Sequence, residues 1–278
     1  MYWQQRTRVP AISDTMPRDR FFKIRNYLKV VDNNAVTDNE TEADRLWKVR
    51  PFLEKIRKTC VALSREPDVS ADEQMIAFTG RCPARQYVHR KPHPTGLKNF
   101  VLAGASGIVM DFEVYQGAHT FDNYELDGKK TGQGIGAVLC LVETLSIGHR
   151  LFCDRFFTTV PLILNLKEKG IMLTGTITKR CLPVTVPVSF TGDKHMSALG
   201  RGTCKQFVSS SDIAIVKWYD KKPILIASSA FGVEPQDTCR RWSKKDREHI
   251  EVNKPFLISK YNQSMGGVDL CDRMIAYH

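Results

Sequence analysis

Three aspartates stand where a carboxylate is expensive to keep. Asp72 opens the apolar run DEQMIAF, Asp154 follows Leu151-Phe152-Cys153, and Asp269 follows Gly266-Gly267-Val268. A carboxylate beside buried strand residues is costly unless it is paired or binds a metal. Hard oxygen donors of this kind suit Mg²⁺ or Mn²⁺, which take few protein ligands and keep several waters. Two such ions about 3.5–4 Å apart can hold the attacking and leaving oxygens of an in-line phosphoryl displacement. Each acid also has a purely structural reading. Asp72 would then be a surface acid at a strand edge and Asp154 the cap of the next helix. Asp269 would be an N-cap, with Asp272 favouring the helix dipole.

Bringing these acids together is a task for the elements that carry them. Asp14-Thr15-Met16-Pro17 predicts a helix start, and Phe21, Ile24 and Leu28 recur at helical spacing. Residues 31–44 read as a polar, acidic loop. Leu46, Val49, Leu53, Ile56 and Cys60 form a second helical stripe, kinked or restarted at Pro51. Residues 1–68 are therefore expected to be a small helical unit. From Val69 the pattern changes to a strand over residues 72–78, then strands over 99–104 and 108–115 joined by Ala105-Ser106-Gly107. An amphipathic helix is expected over 131–145. A short strand beginning at Arg150 and ending around Asp154 comes next. A helix capped by Thr158 or Thr159 and ended by Gly170 follows, then a strand over 171–177. Residues 179–254, rich in Pro, Gly and Ser and with 14 Lys/Arg against 8 Asp/Glu, read as an inserted β-rich basic subdomain. Residues 255–278 return to the first pattern, with a helix beginning at Val268 or Asp269.

Charge narrows the partner. The 278 residues carry 41 Lys/Arg against 30 Asp/Glu, a net charge of +11, which favours a polyanion such as nucleic acid. Residues 80–98 hold Arg81, Arg85, Arg90, Lys91 and Lys98 with no acid at all. No run approaches the roughly 18 apolar residues of a membrane helix, and the basic N-terminus lacks an apolar core, so integral-membrane and secreted readings are disfavoured. The 8 Cys are scattered without a C-x-x-C pair, which predicts free thiols in a reducing compartment.

The blocks around the three acids carry a resemblance. Asp72-Glu73-Gln74-Met75 with Phe78, Gly80 and Arg81, then Tyr87, Lys91-Pro92, Gly96 and Lys98, resembles the DEQM…F-x-GR…Y…KP…G-x-K block of piggyBac-type transposases. The run Cys153-Asp154-Arg155-Phe156-Phe157-Thr158-Thr159 is similar to that family's CDNFFTS. Gly170-Ile171 with Gly175-Thr176, and Lys217-Trp218-Tyr219-Asp220-Lys221-Lys222, resemble two later blocks. Tyr261-Asn262 with Met265-Gly266-Gly267-Val268-Asp269 resembles its YN-x-x-MGGVD signature, with Asp272 in register.

What the resemblance implies is concrete. The fold would be α/β, a ribonuclease-H-like mixed sheet over 69–178 and 255–278, interrupted by the insertion at 179–254 and preceded by the helical unit, which would help dimerise and grip DNA. Asp72, Asp154 and Asp269 would be the catalytic metal ligands and Asp272 an accessory acid, holding two Mg²⁺ or Mn²⁺ ions. The reaction would be cut-and-paste transposition at TTAA sites, on double-stranded DNA, in the nucleus, with a homodimer expected and no membrane or small-molecule cofactor. Arg81, Arg85, Arg90, Lys91 and Lys98 would contact phosphates, and Tyr87 and Trp218 are candidates for base stacking. Arg155 replaces the usual Asn beside the second acid. The chain stops at His278, nine residues after Asp269, so the last helices of the fold and a terminal cysteine-rich zinc domain would be missing. The alternative is a catalytically inactive DNA-binding protein derived from a transposase.

Overall fold

The computed structural model describes residues 2–32, 34, 44–89, 91, 93–187, 190, 192–244 and 246–277. Two compact units divide the chain, Met1–Ile56 and Arg57–His278. The boundary falls earlier than the expected residue 68. Arg57 explains why: its guanidinium donates to Asp111 at 2.7 Å and to Glu113 at 2.9 Å, anchoring it to a strand of the second unit.

The first unit holds α1 (Pro10–Ser13), α2 (Arg18–Tyr27) and the start of α3 (Arg50–Val61). Helix α2 begins one residue after Pro17, which is extended at ψ 145° and offers no side-chain cap, so Asp14 is not the cap that was expected. Asp14 pairs with Arg8 instead. The stripe of Phe21, Ile24 and Leu28 is exposed rather than buried. Trp3 packs on Phe21 with ring centroids 5.3 Å apart, and its indole N–H donates to the Met16 carbonyl.

The second unit is built on a nine-stranded mixed sheet. Its strands are β1 (Asp68–Ala77), β2 (Arg85–Tyr87), β3 (Thr95–Gly104), β4 (Val109–Val114), β7 (Arg150–Cys153), β8 (Met172–Thr176), β9 (Cys204–Val208), β10 (Ala214–Tyr219) and β11 (Pro223–Ser228). The order is β2-β3-β1-β7-β8-β11-β10-β9, with β4 beside β3. Strands β1, β3 and β4 run antiparallel, whereas β1, β7 and β8 are parallel. Parallel strands need a crossover, and α4 (Gln133–Val142) and α5 (Val160–Glu168) supply the two. Both bury their apolar sides on one face of the sheet, against Phe100, Leu102, Leu151 and Leu173. As expected from the sequence, Thr159 caps α5, accepting a hydrogen bond from the Leu162 amide.

Residues 179–254 do not stand apart from this sheet. Strand β11 pairs antiparallel with β8, so β9, β10 and β11 continue it, and only the ribbon of β12 (Asp237–Ser243) and β13 (Glu248–Lys254) is separate. The Pro and Gly punctuation marks strand ends but carries no information about which distant strand is the partner. The KW block lies in this extension. Lys217 is fully buried and paired with Asp193 of α6 (Asp193–Leu199) at 2.6 Å. Trp218 is 2% exposed and donates to the Asn253 carbonyl, which makes it a core residue and not a base-stacking one.

Two helices close the described chain: α7 (Phe256–Ser264), which the sequence reading missed, and α8 (Gly267–Ala276). The remaining short pairs are β5 (Glu125–Leu126) with β6 (Lys129–Lys130). No helix is long and apolar enough to cross a membrane, and all eight cysteines are free.

Candidate active site

Register assembles the first two acids. The parallel pairing of β1 with β7 ends at Ala71 opposite Cys153, and the next residue on each strand is an aspartate, Asp72 and Asp154. Ala71 and Cys153 belong to the core under α4 and α5, so alternation along β1 turns Asp72 to the opposite face. Chain folding fixes Asp154 further. Its carboxylate accepts the Phe156 amide at 2.7 Å, and its carbonyl accepts from Thr158. Gly175, opposite Cys153, makes that turn possible, because a Cβ there would lie 2.0 Å from the Thr158 hydroxyl.

Helix α8 delivers the other acids. It packs across β1 and β3 through Gly267, where a Cβ would sit 2.3 Å from the Gly104 carbonyl oxygen and 3.0 Å from the Ser70 hydroxyl. That close approach brings Asp272 to β1, where Gln74 Nε2 donates to its Oδ1 at 2.6 Å. Asp269 sits three residues earlier, on the neighbouring flank. It points away from the buried stripe of Gly267, Val268 and Cys271 and is exposed. The structure thus joins Asp72 with Asp154 and ties Asp272 to Gln74, two residues beyond Asp72. Among the described residues, no group of three or more His, Cys, Asp or Glu side chains is close enough to hold a metal ion.

The electrostatics are those of crowded carboxylates. Burial pushes the Asp72 carboxyl up to about 8, reinforced by the charge and hydrogen bond of neighbouring Glu73; the Glu73 amide N–H, 2.8 Å away, works against it. Burial also raises Asp154, partly offset by the Phe156 amide and by Arg155. Desolvated oxygen donors of like charge are the set that a hard divalent cation would stabilise, so Asp72, Asp154 and Asp272 fit Mg²⁺ or Mn²⁺ in chemistry.

The basic residues divide. Arg81 and Arg85 are exposed, and Arg85 closes its own turn by donating to the Thr79 and Gly80 carbonyls. Lys91 donates to the Glu73 carbonyl at 3.1 Å and lies 3.5 Å from its carboxylate. Lys98 is 7% exposed: its ammonium sits 4.4 Å from the Phe156 ring centroid and 3.3 Å from Gln133 Oε1, and burial lowers its pKa. It is therefore a buried cation near the acids rather than a surface base. Arg90 lies outside the described residues. Tyr87 is 68% exposed. Gln74, Glu73 and Tyr261 were not singled out from sequence. The signal for Gln74 was its period-2 spacing from Asp72, which puts both side chains on one strand face.

Known proteins extend this picture. The family model described as Transposase IS4 matches residues 1–278. Human piggyBac transposable element-derived protein 3 is 32% identical over 282 residues, covering 99% of this chain and 46% of the relative. Human piggyBac transposable element-derived protein 2 is 30% identical over 291 residues, with the same two coverages, 99% and 46%. The chain thus spans about half the length of these curated relatives. Among solved structures, the cryo-EM structure of the piggyBac transposase synaptic complex with hairpin DNA aligns with a TM-score of 0.76 at 23% identity, covering 98% of this chain and 53% of that one. That likeness establishes a shared fold. With a family match along its whole length, this chain belongs to the DDE transposase family, among its piggyBac-type members.

Proposed function

We propose that this chain is the catalytic part of a piggyBac-like DNA transposase, built on a ribonuclease-H-like domain. The order β4-β3-β1-β7-β8, three antiparallel strands followed by two parallel ones, supports that fold reading. The observation that carries the function is the β1–β7 register, which makes Asp72 and Asp154 neighbours at the carboxyl ends of parallel strands. Asp269 and Asp272 complete the proposed donor set from α8. Bound Mg²⁺ or Mn²⁺ would supply Lewis acidity at the scissile phosphate and lower the pKa of water.

The chain's own side chains have defined tasks. Asp72 and Asp154 present hard oxygens from rigid strand ends. Arg81, Arg85, Arg90 and Lys91 neutralise DNA phosphates, and Lys98, buried beside the acids, contributes fixed positive charge. The proposed sequence is a nick at the transposon end, attack of the freed 3′-hydroxyl on the opposite strand to form a hairpin, and joining to target DNA at TTAA. The human relatives are named as transposable element-derived, and the solved neighbour holds hairpin DNA. DNA as substrate, nuclear residence and a homodimer belong to this proposal.

One observation favours a second reading, a DNA-binding remnant without catalysis: Asp269 stands exposed and apart from the other acids. A TTAA-flanked duplex incubated with the chain and Mg²⁺ separates the two. The transposase reading expects nicking that Asp154→Ala abolishes while DNA binding persists. Salt-sensitive binding with no cutting under Mg²⁺ or Mn²⁺ would leave the remnant.

A further inference from the structure

We infer that Asn99 and Gln74 form a positioning relay that orients Asp272 and thereby sets the divalent-cation affinity of the carboxylate site. The inference rests on the proposal that this site binds Mg²⁺ or Mn²⁺. Gln74 and Asn99 are direct partners in the β1–β3 ladder. Asn99 Nδ2 donates to Gln74 Oε1 at 3.1 Å, and Gln74 Nε2 donates to Asp272 Oδ1 at 2.6 Å. The chain of bonds runs from β3 across β1 to α8.

An amide has two unlike ends, and the relay uses that difference. With Asn99 donating to its oxygen, Gln74 can present only its N–H₂ end to the helix. Asp272 therefore meets a donor in a fixed place. One carboxylate oxygen is held, and the other is left for a second partner. Outer groups that orient a ligating side chain in this way typically change metal affinity by about 10–100-fold when removed.

The relay carries a cost that packing alone does not explain. Asn99 is 6% exposed, and its Oδ1 is buried with no hydrogen-bond partner among the described residues. An apolar side chain at 99 would avoid that burden. What Asn99 adds in return is the N–H that locks Gln74. Gln74 in turn shares the strand face of Asp72, so the oriented helix acid and the strand acid converge on the same side of the sheet.

Mn²⁺ binding to the whole chain, measured by calorimetry together with the apo-protein melting temperature, tests the relay. Gln74→Met removes the donor at nearly constant length, and Asn99→Leu removes the lock from the far end. Each is expected to weaken Mn²⁺ binding about ten-fold or more, as Asp72→Asn should. A merely structural role would lower the melting temperature and leave the Mn²⁺ Kd within two-fold, which overturns the relay. If one variant does not fold, the other reads the same Kd. Absence of Mn²⁺ binding by the unaltered chain would overturn the metal site and the relay together. Loss in Asp72→Asn with none in Gln74→Met or Asn99→Leu would overturn the relay alone.

Discussion

Replacing Asp72 with Asn should stabilise the protein in the absence of metal, and the gain should depend on pH. The carboxyl of Asp72 rises from an ordinary value of 3.8 to about 8, chiefly through burial and then through Glu73. A shift of roughly four units at about 1.4 kcal/mol each bounds the cost of ionising it in the folded state near 5 kcal/mol. Because the folded-state value is raised, its stabilising contribution is complete below pH 3.8 and is lost as pH climbs through about 8. Asn keeps an oxygen to accept the Glu73 amide, which now bonds at 2.8 Å, so the exchange removes charge without orphaning a donor. Thermal melts in EDTA at pH 8 should show the variant higher by about 5–15 °C, since each kcal/mol moves a unit of this size by roughly 2–4 °C. At pH 4 the two proteins should melt nearly together. Mg²⁺ at pH 8 should raise the unaltered chain and leave the variant unmoved. Equal gains at pH 4 and pH 8, or none at either, would refute the argument that desolvated like charges crowd this site.

Gly267→Ala drives a Cβ to 2.3 Å from the Gly104 carbonyl, so α8 must shift; a loss of about 1–3 kcal/mol in denaturant titrations is expected. Arg57→Met leaves Asp111, which is 0% exposed, without its bidentate partner, and should cost about 3–5 kcal/mol. The further change Asp111→Leu in that background should recover most of the loss, and failure to recover would show that the pair is not what the site needs. Trp218→Phe strips the donor from the Asn253 carbonyl inside the core and should cost about 1–3 kcal/mol with no change in the salt dependence of DNA binding. A shallower salt slope in that variant would restore Trp218 as a DNA contact.

Much of the site could be read in the residues, and the limits fall at identifiable places. Thr159 and Gly170 mark the ends of α5 because caps and left-handed turns are local, one-residue events, and Gly170 has φ 74°. Strand β7 was legible because four residues end at a carboxylate that an apolar strand cannot continue through. Helix α7 was missed because Phe256, Leu257 and Ile258 read equally well as a strand. Lys98 was misjudged as a surface base. Nothing in its neighbours shows that Phe156, 58 positions later, folds over its ammonium. The join between β8 and β11 was invisible for the same reason, since a central strand advertises that it is buried but not by whom.

The order and character of the elements, the identity of the three acids and the kinship with piggyBac-type transposases were all present in the amino-acid string, because each rests on composition, caps and short motifs. Only the folded chain decided that Asp72 and Asp154 are register neighbours, that Asp272 rather than Asp269 is the helix acid bonded to β1, and that a lone Cβ separates α8 from its seat at Gly104. Local pattern sets what a segment becomes. Which distant segments meet, and at what register, follows from competition among buried faces over the whole chain, a property of the packed sheet that no single stretch encodes.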